Sequence, residues 1–240
     1  MDPQVLLFAL IFIFSIIQSI FGVGLLVFGT PSLLLLGYSF DTTLSLLLPC
    51  SLAISFCQIF NSYSEIKKFR FQFIKYALPS MAITLVLTLL AENSLNLRAA
   101  VGLMLIFSAT SRLSAAINKY LQQFIIRHAN TFLVALGLVH GATNMGGGLL
   151  TIYANSTCEN RQSIRAHIAY GYALMALIQI LLLAILGKFS LAVTNIYLVL
   201  ISLVTYLLIG NRIFLIANNV VYYRMMTALM FVFGFALIFL

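Results

Sequence analysis

Polar positions along this chain interrupt long apolar runs; they do not alternate with them. Apolar runs of about 20 residues recur from one end to the other, the length a helix needs to cross a hydrocarbon core of about 30 Å. They predict eight spans, near residues 4–29, 41–62, 71–91, 97–117, 130–154, 163–186, 190–209 and 222–240. The alternating segments of about ten residues that build a membrane β-barrel are absent. The expected fold class is all-α and polytopic, with about eight transmembrane helices in two four-helix repeats whose first helices are broken.

Two places break the apolar pattern inside a span. The first hydrophobic stretch continues to Leu36, and at 1.5 Å per residue its helix would reach about 50 Å, too long for one straight crossing. Gly22, Gly24, Gly29 and Pro31 are where it is expected to kink or break. The second place is His140 to Ala154, HGATNMGGGLLTIYA, which sets a histidine, an asparagine, two threonines and three glycines in apolar surroundings. A shift of 124 positions lays Gly22 on Gly146, Gly24 on Gly148, Ser19 on Thr143 and Asp41 on Arg165. With a three-residue slip, Gln58 matches Gln179. The chain then divides into a first transmembrane repeat (1–117), a cytoplasmic linker (118–129) and a second repeat (130–240). Four spans per half make the halves run in the same direction; a re-entrant hairpin at one glycine stretch would invert them. The pattern leaves both open.

Composition narrows the class. The chain is 62% hydrophobic and 8% charged, against roughly a quarter charged in soluble domains. Its net charge of +8 suits basic cytoplasmic loops; no basic patch interleaves with exposed aromatics as nucleic-acid binding would require. On the eight-span layout, Lys67, Lys68, Arg70, Lys75, Arg112, Lys119, Arg127 and Lys188 fall on one side. Arg98, Arg161, Arg165, Arg212 and Arg224 fall on the other. By the positive-inside rule, the excess puts both termini in the cytoplasm. Residues 113–128 carry an apolar face of Ile117, Leu121, Phe124 and Ile125 and form the linker, as an extension of the fourth span. Cys50, Cys57 and Cys158 show no paired spacing and are expected as small packing residues. No metal or cofactor is expected.

The candidate chemistry gathers at the glycines. Gly146, Gly147 and Gly148, with Gly22 and Gly24, either free backbone N–H groups to cradle an anion at a half-helix N-terminus or let helices approach closely. His140 and Asn144 share a helical face. Asn144 is an anion donor or an interhelical bond; His140 is a ligand, a proton carrier or a core histidine. Thr143 belongs to the same cluster. Gln58 and Gln179 bind substrate or clamp helices. Arg165 draws anions by charge or marks the membrane boundary. All five acidic residues fall at span ends or in loops, so no carboxylate stands at mid-membrane to couple an ion. A catalytic site is not expected: there are no paired intramembrane aspartates and no His-Glu-x-x-His.

The stretches FGVGLLVFGTPSLLLLGYSFDTTLSLLLPCSLAIS and GLVHGATNMGGGLLTIYA resemble the two repeats of the sulfite exporter TauE/SafE family of bacterial membrane transporters. This chain departs from the usual pattern at Val23, inside the first glycine group, and lacks a proline after the second. The resemblance implies a small anionic substrate, sulfur-containing or carboxylate-bearing, and an exporter working in the lipid bilayer. The alternatives are an assembly subunit of a membrane complex or an intramembrane enzyme. The uneven polar content of the two stretches places the expected substrate nearer Asn144 and Gly146–Gly148 than the pseudo-axis.

Overall fold

A computed structural model describes residues 3–60, 69–91, 95–190, 192–216 and 219–239. Its helices are α1 (Pro3–Phe21), α2 (Leu25–Leu35), α3 (Phe40–Phe60), α4 (Phe69–Gln72), α5 (Leu78–Leu90), α6 (Leu97–Leu113), α7 (Ala115–Thr143), α8 (Gly147–Thr157), α9 (Arg161–Ile185), α10 (Val193–Thr205), α11 (Asn211–Ile216) and α12 (Asn219–Phe239). Wider π-helical turns at Phe73–Ala77 and Tyr206–Gly210 join α4 to α5 and α10 to α11. Six helical segments among the described residues are long and apolar enough to cross a membrane, and shorter apolar helices accompany them. The protein is a multi-pass helical membrane protein. Large apolar side chains such as Phe60, Leu90, Leu103, Ile185, Leu207 and Phe239 point outward, as a lipid-facing surface requires.

The glycine stretches do not kink a crossing helix; they reverse it. Phe14 and Phe28 are fourteen positions apart, which along one helix is about 21 Å, yet their ring centroids lie 5.9 Å apart. Helix α2 therefore folds back along α1. In the same way Phe132 stacks on Tyr153 at 6.2 Å, so α8 folds back along α7. The expected spans 4–29 and 130–154 are thus each two antiparallel helices. The first break falls at Gly22–Gly24, while Gly29 and Pro31 lie inside α2. Its reason is local: Gly22 takes φ +74° and donates its N–H to Gln18 O at 2.7 Å. A Cβ on Gly24 would lie 2.5 Å from the Gln18 amide nitrogen, so only glycine lets the returning strand pass so close.

Neighbouring contacts give each helix its direction. Thr30 of α2 and Gln179 of α9 both meet Asn144 at the second hairpin's tip. Ile168 and Arg165, near the start of α9, meet Gly22 and Ser19 at the first tip. The two hairpins therefore enter from opposite ends of the bundle. Helix α3 packs antiparallel to α9 between them, the former bonded to α1 through Gln58 and the latter to α7 through Gln179. Each hairpin is followed by three crossing segments, an odd number, so the halves run in opposite directions.

This geometry redistributes the charge. The end that holds the first tip and the start of α9 also holds Arg70, Lys75, Arg112, Lys119, Arg127, Arg161, Arg165, Arg212 and Arg224. Among the described residues the other end holds Arg98 and Lys188. Lys67 and Lys68 lie outside the described residues, in the connection between α3 and α4. The expected linker is also differently built. Ser114 ends α6 and caps α7, accepting from Ile117 N. Residues 115–127 therefore form the first part of α7, joined to the rest of it through a distorted His128 (φ −135°, ψ 47°), and do not extend the fourth span.

Candidate functional site

The two hairpin tips carry different chemistry. The second tip holds the residues singled out from His140 to Gly148, together with Gln179, and the side chains of His140, Thr143, Asn144 and Gln179 are all hydrogen-bonded there. Asn144 adopts a left-handed conformation (φ 60°) that ends α7, and its N–H is held by His140 O at 2.7 Å. The Gly146 N–H donates to His140 Nδ1 at 3.1 Å. A ring nitrogen that accepts carries no proton, so His140 is the Nε2–H tautomer and donates to Gln179 Oε1 at 3.2 Å. Gln179 Nε2 reaches Asn144 Oδ1 at 3.4 Å, and Asn144 Nδ2 donates to Thr30 Oγ1 at 2.9 Å. Thr143 Oγ1 receives the Met145 N–H at 3.1 Å. His140, Asn144, Gln179 and Thr30 are all fully buried. The chain of bonds ties the tip of one hairpin to the shaft of the other.

The glycines of this tip serve close packing. A Cβ on Gly147 would overlap the Tyr172 hydroxyl, and one on Gly148 would lie 2.5 Å from Ser108 Oγ. The Tyr172 hydroxyl is buried with no hydrogen-bond partner; its contact with Gly147 is steric.

The first tip faces a cavity. Helix α2 begins at Gly24 with no side-chain cap, so the N–H groups of its first turn lack helical partners and carry the positive end of the helix dipole. The cavity beside it, about 60 Å³, is lined by Ile20, Phe21 and Val23 of the tip, Arg112 of α6, Thr151 and Asn155 of α8, Arg161 and Arg165 of α9, Phe214 of α11 and Met226 of α12. Arg165 is 6% exposed. Its guanidinium lies 3.5 Å from the Phe214 ring centroid, and Nη1 makes a long contact of 3.5 Å with Ser19 O. Arg161 approaches the same ring, at 5.2 Å, with Nη2 3.5 Å from Phe214 O. Phe214 thus orients two guanidinium groups whose charges repel each other, an arrangement that a bound anion relieves.

Gln58 holds this tip from below: its Nε2 donates to Gln18 O and Ser19 O, both at 3.0 Å. Gln18 Nε2 in turn donates to Ser51 O at 3.0 Å and to Ser51 Oγ at 2.9 Å. The side-chain oxygens of Gln18 and Gln58 are buried and receive no hydrogen bond. Of the expected site residues, then, Gly22, Gly24, Gln58 and Arg165 gather at one tip. His140, Thr143, Asn144, Gly146, Gly147, Gly148 and Gln179 gather at the other, nearer the opposite end of the bundle. Arg112, Asn155 and Phe214, which also line the cavity at the first tip, were not among the candidates that the sequence offered. Their signal was the cluster of arginines at helix ends, which only the reversed hairpins bring to one place.

A comparison with protein families finds that the family described as Sulfite exporter TauE/SafE matches residues 7–237. No curated protein and no solved structure matches.

Proposed function

Because the chain belongs to the sulfite exporter TauE/SafE family, whose members are membrane transporters and not enzymes, we propose that it exports a small anion, such as sulfite or another compact sulfur-containing or organic anion. The observation that carries this reading is the pair Arg161 and Arg165 ordered by Phe214 in a cavity that also meets Val23, just ahead of the uncapped start of α2. A guanidinium presents a planar fork of donors suited to oxyanions, and the α2 N-terminus adds backbone N–H groups and dipole. Size agrees: a water needs about 10–15 Å³ of such space, so a cavity of about 60 Å³ suits an anion of four or five heavy atoms. The substrate site proposed here is therefore the first tip, not the Asn144 cluster expected from the sequence.

The crowd of basic residues at that end supports a cytoplasmic placement for it, by the positive-inside rule. Both the start of α1 and the end of α12 then face outward, the reverse of the sequence expectation. An anion enters from the cytoplasm and is dehydrated between Arg161, Arg165 and the α2 N-terminus. Its passage to the other side is closed by the Asn144–Thr30 and Gln179–His140 bonds. Each neutral bond contributes only about 1 kcal/mol net, so this closure opens at modest cost. The membrane potential, negative inside, favours exit by about 2.3 kcal/mol per charge at 100 mV.

The test is efflux from proteoliposomes loaded with sulfite, thiosulfate, sulfoacetate or small carboxylates, with Arg161→Gln and Arg165→Gln beside the unaltered chain. Saturable efflux that both substitutions abolish supports the reading. Efflux that survives both, in folded protein, removes the site from the first tip.

A further inference from the structure

A second and larger cavity, about 500 Å³, adjoins the first on the basic end. It is bounded by the end of α6, the start of α7, α8 and the start of α12, and its polar lining includes Ser111, Arg112, Asn118, Gln122, Arg224 and Thr227. Arg112, Thr151 and Asn155 line both cavities, so the two adjoin across one shared wall. Among the described residues no acidic one lines either. Along the path, Arg224 comes first, Arg112 stands at the shared wall, and Arg161 and Arg165 lie within. The amphipathic start of α7 supplies Asn118 and Gln122 to this space while Ile125 is buried against the core.

We propose that this outer cavity is a second anion-binding subsite, an antechamber in which Arg224 and Arg112 hold a still-hydrated anion before it passes to the inner cavity. The inference rests on the transporter reading. The volumes carry the division of labour. The outer space admits an anion with its water, while the inner one admits it only stripped. A channel lined by one sign of charge raises local counter-ion concentration and entry rate by about 10- to 1,000-fold, and that gain falls with salt. Arg224 is exposed, so it acts by charge, and a lysine replaces it well.

Two measurements test this. In transport, Arg224→Gln is expected to raise KM by about 3- to 10-fold with the maximal rate retained, and to flatten the dependence of KM on ionic strength. Arg224→Lys is expected to stay within twofold of the unaltered chain. An unchanged KM and salt dependence in Arg224→Gln overturns the antechamber. The second measurement needs no transport. The chain has no tryptophan, so Leu113→Trp, at an exposed position lining the outer cavity, gives a lone fluorophore. Iodide is the probe. A saturable quenching phase, displaced by sulfite and lost when Arg224→Gln is added, supports the subsite. Strictly linear quenching, the same with and without Arg224, overturns it. The titration is run in nanodiscs of phosphatidylcholine alone and with phosphatidylglycerol. If the anionic lipid alone removes the saturable phase, a lipid headgroup occupies the cavity and the antechamber is overturned. Failure of every anion to move in the flux assay, with saturable iodide binding intact, counts against the exporter reading and not against the subsite.

Discussion

Removing the charge of Arg165 is the sharpest perturbation of the inner cavity. An anion seated about 4 Å from the guanidinium gains about 4 kcal/mol at an effective dielectric constant near 20. Truncating one partner of such a desolvated pair costs about 2–5 kcal/mol. At about 1.4 kcal/mol per factor of ten, transport efficiency falls by roughly 30- to 3,000-fold. The fold loses much less. The side chain's contact with Ser19 O is long, 3.5 Å, and its stacking on Phe214 is worth about 0.5–2 kcal/mol. Arg165→Gln is therefore expected to remain monodisperse, with Tm lowered by a few degrees, while kcat/KM for sulfite efflux collapses. Arg165→Lys keeps the charge but loses the planar stack and the fork, and about a tenfold loss is expected. Efflux is read in proteoliposomes under an imposed potassium diffusion potential. An Arg165→Gln protein within threefold of the unaltered kcat/KM refutes the assignment of the anion to this cavity.

Further expectations follow from the two tips. Gly147→Ala places a methyl group inside the Tyr172 hydroxyl and is expected to lower stability by about 1–3 kcal/mol; adding Tyr172→Phe removes that oxygen and should restore much of the loss in a thermal-unfolding assay. Thr30→Val leaves Asn144 Nδ2 buried without its acceptor, costing about 1–3 kcal/mol. A double-mutant cycle with Asn144→Leu should show coupling, and additive effects would mean that the bond contributes nothing. For orientation, Ser39→Cys and Tyr120→Cys, both at exposed positions at opposite ends of the bundle, are made in a chain stripped of its native cysteines. In intact cells a membrane-impermeant maleimide is expected to label Ser39→Cys and to spare Tyr120→Cys; the reverse pattern restores cytoplasmic termini.

The residues said where the chain must break but not how. Length forbade a single helix through Leu36, and Gly22 and Gly24 marked the site, yet a kink and a reversal need the same glycines. The deciding contact, Phe14 against Phe28, joins two aromatics that the hydrophobic pattern cannot distinguish from lipid-facing ones. That one ambiguity spread. With the hairpins read as single crossings, Arg161, Arg165, Arg212 and Arg224 fell opposite Arg112 and Lys119, and the charge difference looked modest. Reversal brings them to one end and creates the arginine cavity. The matched glutamines were legible as a pair, and both turn out to hold hairpin tips, Gln58 through backbone carbonyls and Gln179 through side chains. Polar richness drew the expected site to the second tip, whereas the proposed one is at the first. The histidine, asparagine and threonine of the second tip use their hydrogen-bonding capacity on one another, which sequence spacing does not reveal. Residues that meet from α6, α8, α9 and α11 are separated by tens of positions and carry no shared motif.

The central claim is that a small anion crosses the membrane through this chain from its basic end. Sulfite efflux from proteoliposomes of known protein orientation, driven by a potential negative on the basic side, measures it directly. The account predicts saturable efflux that grows with the imposed potential and is competed by other compact oxyanions. Folded, correctly oriented protein that moves none of the loaded anions above the rate of protein-free vesicles contradicts it.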